Sequence, residues 1–166
     1  MNSQLSSMAI LVLAIFLIFP ACAQAERPSL KIVCTTSVLM DPATYIGGDK
    51  VQAISIADPT LCPHLQTDII PNRIQLNMDF IKDADMFMAY NDSNDQKYNM
   101  PAVNDFMKAN NFKAFEWNTI SNPSRGWNTP TNSRLLASEV KGWLEEKDPA
   151  NKTYYEQRYN DYAKSF

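Results

Sequence analysis

The stretch Leu30-Lys31-Ile32-Val33-Cys34-Thr35-Thr36 decides the fold class of this 166-residue chain. Its centre is an unbroken run of apolar and β-branched residues, which predicts a strand that is buried on both faces. Strands of this kind are typical of parallel sheets, because helices cover both sides of such a sheet. Three further strands are predicted at 51–56, 86–90 and 112–117.

Helical patterns lie between the predicted strands, at 38–46, 72–82 and 103–110. In the second of these, Ile74, Met78 and Ile81 recur at the spacing of one helix face. Strands that alternate with helices indicate βαβ units. We therefore expect an α/β fold, a three-layer βαβ lobe with a mainly parallel four-stranded sheet.

The last third of the chain changes character and becomes helical. A helix is predicted at 133–146, and Asp148-Pro149 starts another, since Asp is a good N-cap and Pro suits the first helical position. Tyrosines 155, 159 and 162 share one face of it, which predicts a core or interface position. We expect an N-terminal α/β lobe at 26–127 and a long helical segment at 128–166.

The N-terminus has the pattern of an export signal. Residues 9–19 form an apolar run that is too short to span a bilayer comfortably, and the small-x-small sequence at 23–25 suits a signal peptidase. Residues 1–25 are therefore predicted to be a signal peptide, and the mature protein is expected to be periplasmic or at the cell surface. A lipid anchor at Cys22 is the alternative, because the residues before it loosely resemble a lipoprotein cleavage site.

Composition and motifs exclude several function classes. The net charge is −3 and no Lys/Arg cluster occurs, so we expect no nucleic-acid partner. No paired-carboxylate, Gly-rich phosphate or Ser/His/Asp pattern is present, so the chain is not expected to be an enzyme. An aromatic content of 11% argues against a disordered chain.

The chain's single histidine, His64, follows the second predicted strand and lies two residues after Cys62. Imidazole and thiolate are common ligands of zinc and related metals. Loops at the carboxyl ends of parallel strands are where such folds bind ligands, so Cys34, the loop of His64 and Tyr90-Asn91 should gather at one edge. His64 and Cys62 are thus candidate metal ligands. A disulfide between Cys34 and Cys62 is the competing prediction, since exported thiols often pair.

Six segments occur in the order in which one known family carries similar ones. They are 35–39 with Asp41, 47–51, Pro63-His64, 83–87 with Tyr90-Asn91, 127–130, and 148–151 with Tyr154-Tyr155. Together they resemble the solute-binding proteins of zinc/manganese ABC transporters. The resemblance covers about residues 30–166.

The resemblance implies a function and a partner. Such a protein has two lobes joined by a long helix, and this chain would supply the N-terminal lobe and part of that helix. It would bind a divalent metal, zinc or manganese, as transported ligand and hand it to an ABC permease, with no organic cofactor. His64 falls where the family carries a metal-binding histidine, and the remaining ligands would come from the second lobe.

One departure from the family pattern affects the expected site. Arg125 stands where the family has a second histidine, and a cation there would repel a bound metal. Because the remaining ligands would come from the second lobe, we expect a second-lobe chain or self-association to complete the unit. The alternative is a degenerate or truncated lobe that acts as a non-metal binding or protein-interaction module.

Overall fold

The computed structural model describes residues 29–61, 65–66, 68–92, 94–123 and 126–166. The predicted signal peptide and Cys22 lie outside these residues. Four strands form one sheet, with all neighbouring pairs parallel and the order β2-β1-β3-β4. They are β1 (Leu30–Cys34), β2 (Val51–Ser55), β3 (Met86–Tyr90) and β4 (Trp117–Ile120). The predicted α/β fold with a parallel four-stranded sheet is confirmed.

Helices cover both faces of the sheet and make three layers. They are α1 (Ser37–Gly47), α2 (Ile70–Leu76), α3 (Met78–Lys82), α4 (Met100–Ala109), α5 (Pro130–Lys147) and α6 (Lys152–Ala163). Alternate residues of β1 point to opposite faces, so Ile32 packs with residues of α1, α5 and α6 while Val33 packs with residues of α2, α3 and α4. Among the described residues, no helix is both long and apolar enough to cross a membrane.

The single helix predicted at 72–82 is two helices, α2 and α3, which meet at Asn77. The Asn77 backbone leaves helical geometry, with φ −107° and ψ 16°, and its side-chain amide donates to the Arg73 carbonyl at 2.7 Å. An Asn side chain that bonds the backbone competes with the helix's own hydrogen bonds, which explains the break.

The fourth strand begins later than the predicted 112–117. The Phe112 N–H bonds the Met107 carbonyl at 2.9 Å, and the Phe115 ring stacks on Phe87 with centroids 3.8 Å apart. The two phenylalanines therefore cover the core under α4, and pairing with β3 starts only where Trp117 lies opposite Phe87. The apolar content of residues 112–117 correctly predicted a segment packed against the core. It did not predict where the strand begins.

The C-terminal helices pack on the lobe itself. Tyr155 is fully buried, and Tyr159 and Tyr162 pack partly buried against the same cluster. The Tyr154 hydroxyl donates to the Asp49 carboxylate at 2.6 Å, which attaches α6 to the turn after α1. The predicted tyrosine face therefore packs against the lobe itself, and Tyr155 is part of its core.

Candidate ligand-binding rim

The carboxyl ends of the four strands meet at one edge of the sheet, which we call the rim. A cavity of about 270 Å³ opens there, the rim cavity, and every strand contributes to its lining. Thr36 follows β1, Asp58 follows β2, Asp92 follows β3 and Asn122 follows β4. A parallel sheet places these polar side chains together because its strands all end on the same side.

The two predicted metal ligands, His64 and Cys62, lie outside the described residues, as does Arg125. The residues that flank the segment 62–64 are at the rim, since Leu61 and Gln66 both line the rim cavity. Within the described part of the chain, no group of three His, Cys, Asp or Glu side chains is arranged to hold a metal ion.

Gln66 organises the loop that carries the segment 62–64. Its side chain is buried, with its carbonyl oxygen accepting the Asp58 N–H at 3.0 Å. Its amide nitrogen donates to the carbonyls of Asp58 at 2.7 Å and Leu61 at 3.1 Å. One side chain thus satisfies three backbone groups and closes the loop.

Arg73 of α2 holds the start of the same loop. Its guanidinium donates to the carbonyls of Ile56 at 2.6 Å and Ser55 at 3.1 Å, and lies 3.4 Å from the Asp58 carboxylate. Hydrogen bonds from Thr60 lower the pKa of Asp58, with a smaller contribution from the Arg73 charge. The strand end, the loop and α2 are therefore fixed relative to one another.

Asp95 is a buried acid at the centre of the rim. Its carboxylate accepts the Thr35 hydroxyl at 2.5 Å, the Tyr90 N–H at 2.6 Å and the Asn99 amide at 2.5 Å. Burial raises the pKa of Asp95, and these hydrogen bonds oppose the shift. Asp95 and Asn99 bound a π-helical segment, a conformation that is frequent at functional sites.

Among the described residues, the buried side-chain carbonyl of Asn99 at the rim cavity has no hydrogen-bond partner. The buried hydroxyls of Thr36 and Tyr90 have no partner there except each other. Burial raises the pKa of Tyr90, and the nearby Thr36 hydroxyl lowers it only in part. The Trp127 ring stacks on Tyr90 with centroids 5.8 Å apart, so the segment 127–130 also reaches the rim.

Cys34 is fully buried at the end of β1 and is a free thiol. Burial raises its pKa far above the ordinary range, so it stays protonated at neutral pH. Cys62, the partner in the predicted disulfide, lies outside the described residues, so that alternative stays a prediction. The thiol belongs to the buried core cluster that includes Ile32 and Met88.

The sequence analysis did not identify Asp95 and Gln66, the two residues whose hydrogen bonds hold the rim together. Asp95 closes a stretch that reads as a polar turn, and Gln66 lies in a loop with no pattern of its own. The i, i+4 spacing of Asp95 and Asn99 is the one local signal that could have indicated a shared helix face.

Three solved structures with a similar fold are described as metal-bound or metal-dependent proteins. The chain is similar to Zn(II)-bound AdcA from Streptococcus pneumoniae, with TM-score 0.56 and 17% identity over 82% of this chain and 30% of that one. It is also similar to the metal-dependent lipoprotein YcdH from Bacillus subtilis, with TM-score 0.57 and 17% identity over 81% of this chain and 51% of that one.

A third neighbour is a Mn-bound periplasmic metal-binding protein from Candidatus Liberibacter asiaticus. Its TM-score is 0.53 at 16% identity, over 81% of this chain and 52% of that one. The chain therefore spans about half the length of these neighbours, or less.

No curated protein matches the chain in sequence. The model of the family described as zinc-uptake complex component A, periplasmic, matches residues 32–166. Members of this family are substrate-binding components of transport systems and are not classed as enzymes. Because the match covers most of the chain, the protein belongs to the family of zinc-uptake complex component A.

Proposed function

We propose that this chain is the metal-binding lobe of a solute-binding protein that delivers zinc or manganese to an ABC permease. The family match over residues 32–166 carries the proposal. The rim supports it, since the strand ends and both flanks of the segment 62–64 converge on one polar cavity.

His64 and Cys62 are the proposed metal ligands of this lobe. Two ligands do not complete a coordination shell, because structural zinc sites have four protein ligands and open sites usually have three. The described residues add no group of three further acidic, Cys or His side chains. We therefore assign the missing ligands to a second lobe, in line with neighbours that are about twice as long as this chain.

The same proposal assigns the remaining parts of the chain. Residues 1–25 direct export, 26–127 form the N-terminal lobe, and 128–166 form the helical segment that packs on this lobe and leads to the second one. The mature protein then works in the periplasm or at the cell surface, and lipidation at Cys22 is the alternative form of attachment.

Calorimetry on the exported protein tests the proposal. We expect weak binding of ZnCl₂ or MnCl₂ that falls at least tenfold in His64→Ala, and that falls further below about pH 6.5 as imidazole protonates. Gln157→Ala, at an exposed position on α6, is the control that should leave binding unchanged. Tight binding that persists in His64→Ala would contradict the assignment of the ligand.

A second candidate function is a protein-interaction module without metal. The observation in its favour is the exposed apolar surface at the rim, where Val38 and Leu61 are 45% and 37% exposed. Sedimentation velocity with and without ZnCl₂ separates the two. Self-association that is independent of metal, in a protein that calorimetry shows not to bind it, would favour the interaction module.

A further inference from the structure

Two side chains at the rim cavity, Asp95 and Asn99, meet in an arrangement that a proton can reverse. Both are buried, at 1% and 5% exposure, and both line the cavity. They are the first and last residues of the π-helical segment. The Asn99 amide nitrogen donates to Oδ1 of Asp95 at 2.5 Å, and the Asn99 carbonyl oxygen has no hydrogen-bond partner among the described residues.

The two oxygen atoms of the Asp95 carboxylate have different partners. Oδ2 accepts the Thr35 hydroxyl at 2.5 Å and the Tyr90 N–H at 2.6 Å. A backbone N–H is always a donor, so Oδ2 has to remain an acceptor while the Tyr90 N–H stays paired. Within the described part of the chain, Oδ1 accepts a hydrogen bond from the Asn99 amide alone. A proton taken up by Asp95 therefore belongs on Oδ1.

A proton on Oδ1 conflicts with the present direction of the Asn99 amide. The protonated oxygen is a donor, and it would face an NH₂ group that is also a donor. Rotation of the amide by half a turn removes the conflict, because the Asn99 carbonyl oxygen then accepts from the protonated Oδ1. The same rotation gives that carbonyl oxygen the partner that it lacks in the described structure.

The surroundings of Asp95 favour uptake of a proton. Burial raises its pKa, and the negative charge of Asp92 adds to the shift. The hydrogen bonds from Thr35, Asn99 and Tyr90 oppose the shift without cancelling it. Asp95 therefore takes up a proton in milder acid than an exposed aspartate does.

No described lysine or arginine lines the rim cavity to hold Asp95 as the anion. Arg73 lies 3.4 Å from the Asp58 carboxylate, and Lys97 lies over the Tyr98 ring at 5.0 Å. The other described titratable groups on the elements around Asp95 are acids, and they are Cys34 on β1, Asp58 after β2, Tyr90 on β3, Asp92 after β3 and Tyr98 on the π-helical segment.

We propose that Asp95 and Asn99 form a proton-controlled switch in the wall of the rim cavity. While Asp95 is ionised, Asn99 has its carbonyl oxygen on the side away from Asp95, as a hydrogen-bond acceptor. When Oδ1 takes a proton from solvent, the amide reverses and its NH₂ group lies on that side, as a donor. The wall also loses one negative charge. A ligand that donates a hydrogen bond to Asn99 at neutral pH therefore loses that bond in acid.

NMR spectroscopy of the isotope-labelled, exported chain tests the switch. We expect the Asp95 carboxyl carbon and the Asn99 NH₂ signals to titrate with one common midpoint, above the ordinary pKa of about 3.9. At neutral pH a nuclear Overhauser cross-peak should join the Asn99 NH₂ to the Tyr90 N–H, because both donate to the same carboxylate. This cross-peak should disappear below the midpoint. The Asn110 NH₂, which donates to the Phe106 carbonyl at 2.9 Å, is the internal control and should not follow the titration.

Asp95→Asn reproduces the protonated state at neutral pH. The oxygen of the introduced amide takes the place of Oδ2, which faces two donors, and its NH₂ group takes the place of the protonated Oδ1. The Asn99 signals should then be of the acid type at every pH, without the cross-peak to Tyr90. Asp92→Asn is the matched control. It should lower the midpoint, because a charge that raises the pKa of Asp95 is removed, and it should keep the common titration.

A common midpoint in the wild type that is abolished in Asp95→Asn supports the switch. Asn99 signals that stay constant while Asp95 titrates overturn it, and so does a cross-peak that persists in acid. A wild type that unfolds before Asp95 takes up a proton also overturns it, because the switch has to operate in the folded protein. If Asp95→Asn does not fold, the titration of the wild type decides. No metal is added in these measurements, so their result is independent of the proposed ligands.

Discussion

The Thr35 hydroxyl donates a hydrogen bond of 2.5 Å to the Asp95 carboxylate, and so joins the end of β1 to the π-helical segment after β3. The same carboxylate accepts the Tyr90 N–H at 2.6 Å and orients Asn99. Asp95 therefore links the core of the lobe to the walls of the rim cavity, and substitutions there should affect both.

Replacing Asp95 by Ala should destabilise the protein strongly. The Thr35 hydroxyl and the Tyr90 N–H would stay buried without an acceptor, at a cost of about 1–3 kcal/mol for each group. Asp95→Asn should cost less, because an amide oxygen still accepts both donors. Urea unfolding curves measure the difference, and equal stabilities for the two variants would contradict the acceptor role.

The raised pKa of Asp95 predicts the pH dependence of this pair. An acid whose pKa is higher in the folded state favours folding while it is protonated, and loses that contribution once the unfolded chain ionises. The stability of the wild type relative to Asp95→Asn should therefore be greatest below about pH 3.9 and decrease from there up to the raised pKa. Unfolding curves between acidic and neutral pH test this, and an opposite slope would show that the carboxylate is stabilised as the anion.

Replacing Gln66 by Leu should loosen the loop that carries His64 and leave the sheet intact. Three backbone groups of Asp58 and Leu61 lose their partners, so amide hydrogen exchange should quicken over 58–66 and remain slow in β1 and β3. Gln157→Leu, at an exposed position, is the matched control. Unchanged exchange in the loop would show that Gln66 does not organise it.

Two glycine-to-alanine substitutions should have opposite effects. A Cβ on Gly47 would lie 2.3 Å from the Val51 Cβ, so Gly47→Ala should cost about 1–3 kcal/mol as α1 and β2 move apart. A Cβ on Gly142 meets nothing within 4 Å on an exposed turn of α5, so Gly142→Ala should stabilise the protein by about 0.5–1 kcal/mol. Thermal unfolding of both variants checks the signs.

Cys34 should resist alkylation in the native protein. Its full burial and raised pKa keep the thiol protonated and inaccessible, so iodoacetamide should label it only after unfolding in urea. Peptide mapping without reductant identifies the labelled cysteine. If Cys34 remains unlabelled in urea until a reductant is added, the cysteine is in a disulfide after all.

The local pattern of the chain determined the order of its elements. The apolar runs of β1 and β3 are largely buried, and such runs are typical of strands inside a parallel sheet covered by helices. The same sequence signals predicted that strands alternate with helices and that the strands end at one edge of the sheet. They also carried the resemblance to the family.

Tertiary contacts decided two features that local sequence patterns do not specify, the register of β4 and the polar centre of the rim. The register of β4 depends on Phe115 stacking on Phe87, and the polar centre of the rim depends on Asp95 meeting Thr35, 60 residues earlier in the chain. Both are contacts between segments distant in sequence, so no local periodicity encodes them. The sequence by itself thus determined the α/β class and the edge at which the strands end, whereas the folded structure decided which polar side chains meet at that edge.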